Sequence, residues 1–194
     1  MSPWFAKAII LVATIAMVVI PHGVHGRRSG EIKVVKSLKG PREVALLALV
    51  SLGFLLPIIW VVTPLLDFAN YPLRPVPFIA GILCYAVGLW LLHRSHADLG
   101  ANWSITLEVR ERHELVTRGI YRSVRHPMYL ALLLYSAGQA LVVPNWVAGP
   151  SYGVAFVTLI LFRIAREERM MLEEFGRDYE EYRARSKRLV PGVW

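Results

Sequence analysis

The chain is poor in cysteine and acidic residues, and it lacks the signatures of several soluble protein classes. Its single cysteine excludes an internal disulfide. It has no G-x-G-x-x-G motif and no alternation of strand-like and helix-like segments, which excludes the soluble nucleotide-binding fold. Its histidines show no metal-site spacing backed by carboxylates or cysteines, so we expect no metal. The 22 Lys and Arg residues outnumber the 14 Asp and Glu residues, an excess typical of proteins that bind nucleic acid or a membrane surface.

Long apolar runs decide between those two partners. Apolar residues make up 55% of the chain, and they form blocks close to the roughly twenty residues that cross a bilayer core. Blocks of this kind, without the alternating pattern of a barrel, predict α-helices, because the backbone must be hydrogen-bonded inside lipid. The last two blocks predict a tight hairpin at Pro144-Asn145, and Pro21 is expected to close the first. The five predicted spans cover residues 4–20, 44–63, 76–92, 128–143 and 145–162.

The positions of the cations predict how these spans are oriented. Twenty of the 22 Lys and Arg residues lie in residues 21–43, 93–127 and 163–194. These segments follow the first, third and fifth predicted spans, so they lie on the same side of the membrane. The positive-inside rule makes that side cytoplasmic. We therefore expect a single membrane domain with its N-terminus outside and its C-terminus in the cytoplasm. We expect the protein to contact membrane lipid and to bind no nucleic acid. The sequence leaves the oligomeric state open.

Two long polar segments adjoin the spans on the predicted cytoplasmic side. The first, residues 93–127, ends in a proline suited to the first turn of the fourth helix. The free N–H groups and dipole of that helix start favour an anionic group. Residues 106–109 and 114–116 look extended, either as a β-like pair or as irregular loop. The alternative for the whole segment is an arginine-rich loop that only fixes topology.

The second polar segment, residues 163–194, continues the fifth span as a charged helix. Arg163 at the lipid boundary either extends toward water or pairs with Glu167 one turn later. Carboxylates this close to a membrane are costly unless they are paired or functional, which marks Glu167 and Glu168. Gly176 is predicted to end the helix, and a short charged helix follows it.

Taken in order, these polar motifs resemble the isoprenylcysteine carboxyl methyltransferase family, particularly its small prokaryotic members with five spans. The resemblance implies an all-α integral membrane enzyme in a prokaryotic inner membrane. A cytoplasmic cofactor pocket would be formed by the loop before helix 4 and the extension after helix 5. The matching motifs are Asp98-Leu99-Gly100, Asn102-Trp103-Ser104, His113-x-Leu115-Val116, Gly119-Ile120-Tyr121, Arg125-His126-Pro127-x-Tyr129, Arg163-x-x-x-Glu167-Glu168 and Phe175-Gly176-x-x-Tyr179-x-x-Tyr182.

The resemblance also implies a cofactor and the residues that hold it. The methyl donor would be S-adenosyl-L-methionine, with S-adenosyl-L-homocysteine as product. A glutamate can accept the ribose hydroxyls, a helix start can hold the carboxylate, and apolar or aromatic side chains can enclose the adenine. The implied catalytic residues are Arg163, which orients a substrate carboxylate, and Glu168. The implied cofactor-binding residues are Glu108, His113, Glu114, Leu115, Val116, Tyr121, His126, Pro127, Met128, Tyr129 and Glu167.

The implied reaction is carboxyl O-methylation of a lipophilic, isoprenylcysteine-like small molecule or prenylated substrate. An ionised carboxylate needs no general base, so catalysis would rest on holding the reacting atoms in line in a dry site. Phospholipid or small-molecule N/S-methylation is the nearest alternative, and an amine acceptor would need His126 or Glu168 as a base. A membrane reductase that binds NADPH and a non-enzymatic scaffold are further alternatives.

Overall fold

Helices account for most of the chain in a computed structural model, which describes residues 2–25, 34–37, 40–100, 108–110 and 115–190. Within these ranges, short 3-10 turns over Asp67–Ala69 and Gly119–Arg122 join longer elements. Strands β1 (Val34–Ser37) and β2 (Glu108–Arg110) form one antiparallel pair. The α-helices are α1 (Pro3–His25), α2 (Pro41–Val62), α3 (Pro75–Leu99), α4 (Pro127–Val142) and α5 (Ala148–Arg185).

The helices have the length and composition of membrane spans, which confirms the predicted fold class. Four of them, α1, α2, α3 and α5, are long and apolar enough to cross a bilayer. Helix α4 has 16 residues, so it is about 24 Å long and shorter than a typical hydrocarbon core. It nevertheless packs between α3 and α5, where neighbouring helices surround much of it. The protein is a multi-pass membrane protein.

The C-terminal ends of α1 and α3 differ from those predicted. Helix α1 continues through Pro21 to His25, so the expectation that this proline closes the first span is wrong. Proline is tolerated inside membrane helices, because neighbouring groups can satisfy the backbone atoms that it leaves unpaired. Helix α3 runs on past the predicted span to Leu99, where Gly100 with φ of +55° ends it. The start of the first polar segment is therefore helical.

Small residues allow the helices to approach closely. A Cβ atom at Gly53 of α2 would lie 2.8 Å from the carbonyl oxygen of Ser151 in α5. A Cβ atom at Gly81 of α3 would lie 2.7 Å from the side chain of Val142 in α4. Close backbone approach through small residues is the usual basis of helix packing in lipid. These contacts fix α2 against α5 and α3 against α4.

The predicted α4–α5 hairpin is present, but residues 143–147 connect its helices, and Asn145 caps α5 and does not begin it. Asn145 is buried, and its Oδ1 atom accepts N–H groups from Val147 and Ala148 at 3.0 and 2.8 Å. Its Nδ2 atom donates to the Leu66 carbonyl at 2.6 Å. The fifth helix therefore starts at Ala148, three residues later than predicted.

The extended segment of the first polar loop pairs with a partner that the sequence did not suggest. Strand β2 pairs with β1, which lies in the loop between α1 and α2. Leu115 and Val116 lie in irregular backbone, so the irregular-loop alternative is the one observed for these two residues. Local alternation indicates an extended strand but carries no information on a partner more than seventy residues away.

Candidate active site

The segment before α4 and the tail after α5 are joined through their backbones. The Arg125 and His126 N–H groups donate to the Lys187 and Arg188 carbonyls at 2.8 and 3.0 Å. The Lys187 N–H in turn donates to the Ser123 carbonyl at 2.9 Å. These bonds form a short parallel bridge. The two polar segments singled out in the sequence therefore meet at one end of the bundle.

A break in α5 turns the tail toward this junction. Gly176 has φ of +49° and ψ of −122°, and helical geometry resumes after it. This agrees with the helix end and the second helix that the sequence predicted. The following turns bury Tyr179 and Tyr182, and the Tyr182 hydroxyl donates to the Tyr121 carbonyl at 2.6 Å. One face of the charged tail is thus packed against the site.

Glu168 is the buried centre of the junction. Arg125 Nε donates to its Oε1 atom at 3.0 Å, and Arg188 Nη2 donates to its Oε2 atom at 2.7 Å. His126 Nε2 lies 3.4 Å from Oε1. Burial alone would raise the pKa of this carboxyl, but His126, Arg188 and Arg125 outweigh burial and hold its pKa well below the usual range. Glu168 is therefore ionised at neutral pH.

Glu167, the next residue, lies in a different environment. Its side chain is 28% exposed, against 6% for Glu168. The Tyr129 hydroxyl donates a hydrogen bond to Glu167 Oε2. The His126 ring stacks on the Tyr129 ring, with centroids 5.3 Å apart and planes 10° apart, and its Nδ1 atom lies 3.9 Å from Glu167 Oε1. The start of α4 and Glu167 therefore form one polar cluster, in which His126 and Tyr129 are buried and Glu167 is partly exposed.

A tight turn holds Tyr121 beside this surface. Asp98 at the end of α3 accepts the Ile120 N–H at 2.9 Å. Gly119 has φ of +59°, and a Cβ atom there would lie 2.2 Å from the Asp98 carboxylate. Tyr121 is buried, and burial, followed by the charge of Glu167, raises the pKa of its hydroxyl. The Asp98 motif and the Gly119-Ile120-Tyr121 motif, which are far apart in sequence, thus pack together and hold Tyr121 in place.

Arg163 pairs with a residue that the sequence analysis did not single out. Its Nη1 atom lies 3.1 Å from Oε1 of Glu43, in the first turn of α2. The side chains are 9% and 1% exposed, so Arg163 does not extend toward water. Its partner in this ion pair is Glu43, whereas the sequence suggested Glu167. Glu43 could have been found from the sequence, because it lies one residue before a predicted span, where a carboxylate is costly unless it is paired or functional.

The structure links five of the predicted site residues. Tyr121, His126, Tyr129, Glu167 and Glu168 are linked as described above. Pro127 is buried at the first position of α4, and Met128 packs against a cluster of Leu91, Leu92 and Ala131. Leu115 and Val116 are half-buried in the irregular segment before the Tyr121 turn.

The remaining predicted residues fall largely outside the described part of the chain. Glu108 belongs to β2, whose backbone alone is described, and His113 and Glu114 lie outside the described residues. Their predicted roles, like those of the other site residues, stay predictions.

Comparison with known proteins gives the wider context of this site. The family model of phospholipid methyltransferases matches residues 76–178. The chain is 33% identical over 115 residues to protein-S-isoprenylcysteine O-methyltransferase B of Arabidopsis thaliana, a match covering 58% of each chain. It is 29% identical over 117 residues to the Homo sapiens protein-S-isoprenylcysteine O-methyltransferase, covering 59% of this chain and 41% of that one. The chain thus spans about half the length of these relatives.

A solved structure shares the fold. The eukaryotic intramembrane Ras methyltransferase ICMT (isoprenylcysteine carboxyl methyltransferase) matches with a TM-score of 0.57 and 20% sequence identity. The match covers 96% of this chain and 63% of that one. The fold is therefore that of an intramembrane helical protein.

The matched residues identify the family. Because the family model covers more than half of the sequence, the chain belongs to the phospholipid methyltransferase family. The names of the curated relatives confirm the resemblance to isoprenylcysteine carboxyl methyltransferases that the polar motifs indicated.

Proposed function

We propose that the protein is an S-adenosyl-L-methionine-dependent methyltransferase that acts on the carboxylate of a lipophilic, isoprenylcysteine-like substrate at the cytoplasmic membrane face. The observation that carries this proposal is the convergence of Glu167, Tyr129 and His126 one helical turn from the buried Arg163. The names of the relatives support the same chemistry. The distribution of cations supports an N-terminus outside and a C-terminus in the cytoplasm, and the resemblance to small prokaryotic members of the family supports an inner membrane.

The residues present suit this donor. When bound, S-adenosyl-L-methionine supplies an electrophilic methyl group on a sulfonium centre. Glu167 keeps an accessible carboxylate that can accept ribose hydroxyls, and Tyr129 holds it in place. The first-turn N–H groups of α4 have no partner within the helix and attract a carboxylate. His126 and Tyr129 add a stacked pair of rings that can line an adenine.

Arg163 is suited to the acceptor. It lies four residues before Glu167 on the same helix, about 6 Å nearer the membrane. A guanidinium binds a carboxylate with strong, charge-assisted hydrogen bonds and fixes its orientation. Donor and acceptor would therefore meet between these two levels of α5, with the donor on the aqueous side and the lipid tail on the membrane side. Burial of Arg163 excludes water from that point.

We assign Glu168 a positioning role. It is ionised and shared between Arg125 and Arg188, and it lies beside the His126 ring. A carboxylate with so low a pKa is a poor general base. This favours an acceptor that is already ionised over an amine, which must lose a proton. Phospholipid methylation remains the second candidate, because the matching family model carries that description.

The first test measures cofactor binding by the purified protein. In isothermal titration, S-adenosyl-L-homocysteine should bind and NADPH should not. Binding of NADPH alone would instead support the reductase alternative, and binding of neither ligand would support the scaffold.

The second test measures transfer of labelled methyl groups in lipid nanodiscs. N-acetyl-S-farnesylcysteine should become labelled, whereas its methyl ester and phosphatidylethanolamine should not. Labelling of phosphatidylethanolamine alone would overturn the carboxylate assignment and leave the donor assignment intact.

A further inference from the structure

A buried ion pair joins the cytoplasmic start of α2 to α5. Glu43 and Arg163 approach to 3.1 Å, and their side chains are 1% and 9% exposed. Among the described residues, the Glu43 Oε1 atom lies at ion-pair distance from Arg163 Nη1 without a hydrogen bond. Removing two charges from water costs about as much as their attraction returns. Stability alone therefore gives little reason for such a pair at this position.

The surroundings tie this pair to the proposed site. The Arg42 guanidinium lies 4.5 Å over the Phe162 ring, which holds the start of α2 against α5 beside Arg163. Arg163 lies one helical turn before Glu167 on α5, and Glu167 accepts a hydrogen bond from the Tyr129 hydroxyl. Through Arg163, Glu43 therefore adjoins the residues proposed to hold the donor.

We propose that Glu43 is a positioning residue that fixes the Arg163 guanidinium and moderates its attraction for an anionic acceptor. This inference rests on the proposed function, because it requires an acceptor carboxylate at Arg163. A guanidinium carries its donors in a rigid fork. A carboxylate fixed beside Nη1 sets the orientation of that fork and offsets part of its charge.

By weakening the attraction of Arg163 for the acceptor carboxylate, Glu43 should also affect the rate of methyl transfer. A carboxylate held by a fully charged guanidinium binds tightly, but the electron pair that must attack the methyl group is stabilised. Binding that is stronger in the ground state than in the transition state slows the chemical step. With Glu43 present, the acceptor is held less tightly and stays more reactive. Loss of the Glu43 charge should therefore lower KM and kcat together.

The decisive experiment compares Glu43→Gln with the wild-type protein in nanodiscs. The ligands are N-acetyl-S-farnesylcysteine and its methyl ester, each titrated in the presence of S-adenosyl-L-homocysteine. Removal of a negative charge close to Arg163 should lower Kd for the acid by about tenfold and leave Kd for the ester unchanged. Steady-state methylation should show lower KM and lower kcat. The matched control is Glu181→Gln, which removes the same charge from an exposed pair with Arg177. It should leave Kd unchanged for both the acid and the ester.

A double-variant cycle tests whether Glu43 acts through Arg163. In an Arg163→Gln background, Glu43→Gln should have no further effect on the ratio of acid to ester affinity. The same shift in both backgrounds would overturn the proposal. So would an unchanged ratio in Glu43→Gln, or a wild-type protein that binds acid and ester equally. If Glu43→Gln fails to fold, Glu43→Asp replaces it, because the shorter side chain moves the charge away from Arg163 by one methylene. Glu43→Asp should shift the ratio of acid to ester affinity in the same direction by a smaller factor. An unchanged ratio would overturn the proposal.

The two proposals fail in distinguishable ways. Discrimination between acid and ester by binding requires no methyl transfer, so it judges Glu43 even if the protein methylates neither compound. Wild-type protein that binds the acid through Arg163 but transfers no methyl group would overturn the proposed function alone.

Discussion

The Tyr129 hydroxyl donates a hydrogen bond to the Glu167 carboxylate, which joins the first turn of α4 to α5. The His126 ring stacks on the same tyrosine. Two polar segments separated by two predicted spans thereby present one surface. The bond also holds Glu167 with one side still open to solvent, as a residue that accepts hydrogen bonds from a ligand requires.

We expect Glu167→Gln to weaken S-adenosyl-L-homocysteine binding by about tenfold or more, because hydrogen bonds to a charged acceptor contribute the most. Tyr129→Phe should have a smaller effect in the same direction, since it only frees the Glu167 side chain. Isothermal titration measures both. The exposed Glu174→Gln is the control and should bind as the wild type does. Unchanged binding by Glu167→Gln would remove Glu167 from the proposed cofactor site.

Arg163→Lys should keep donor binding and lose most carboxyl methylation. Lysine retains the charge opposite Glu43 but lacks the planar fork that orients a carboxylate. Radiolabelled transfer to N-acetyl-S-farnesylcysteine measures the loss, and titration with S-adenosyl-L-homocysteine is the control. Arg163→Ala should also abolish transfer, but it leaves the buried Glu43 unpaired and should cost about 3–5 kcal/mol of stability. A wild-type rate in either variant would exclude the role proposed for Arg163.

Glu168→Gln should lower the melting temperature at neutral pH, because it leaves Arg125 and Arg188 without their shared carboxylate. The folded pKa of Glu168 is depressed, so its stabilisation is fully present above the unfolded value of about 4.3 and is lost as pH falls toward the folded value. The melting difference between wild type and variant should therefore be constant from about pH 8 to pH 5 and shrink below about pH 4. A difference that shrinks near neutral pH would contradict this account.

Gly119→Ala should destabilise the protein more than Gly100→Ala. Both glycines have positive φ, but a Cβ atom at Gly119 would meet the Asp98 carboxylate, whereas at Gly100 it would meet no atom of the described residues within 4 Å. Positive φ costs a non-glycine residue about 1–3 kcal/mol, and the clash adds to this at Gly119. Thermal melting in detergent compares the two. Equal losses would mean that the Asp98 contact does not hold the Tyr121 turn.

Local chemistry in the sequence was sufficient for much of the fold and part of the site. Apolar run length indicated the spans, and Pro127 and Gly176 indicated where helical geometry begins and breaks, because each is a property of residues close together in the chain. The motif order was enough to bring His126, Tyr129 and Glu167 into one hypothesis. The bridge between residues 123–126 and the tail was expected only as a general proximity.

Contacts between residues far apart in sequence depended on the tertiary structure and could not be predicted from the sequence. The spacing of Arg163 and Glu167 suggested a pair within one helix, yet Arg163 faces Glu43, because close packing at Gly53 sets α2 against α5. Strand β2 likewise takes a partner from the loop between α1 and α2. Periodicity and hydropathy specify which helices form and which side chains need burial. Which of several possible partners a buried charge meets depends on how those helices pack, and no local pattern carries that information.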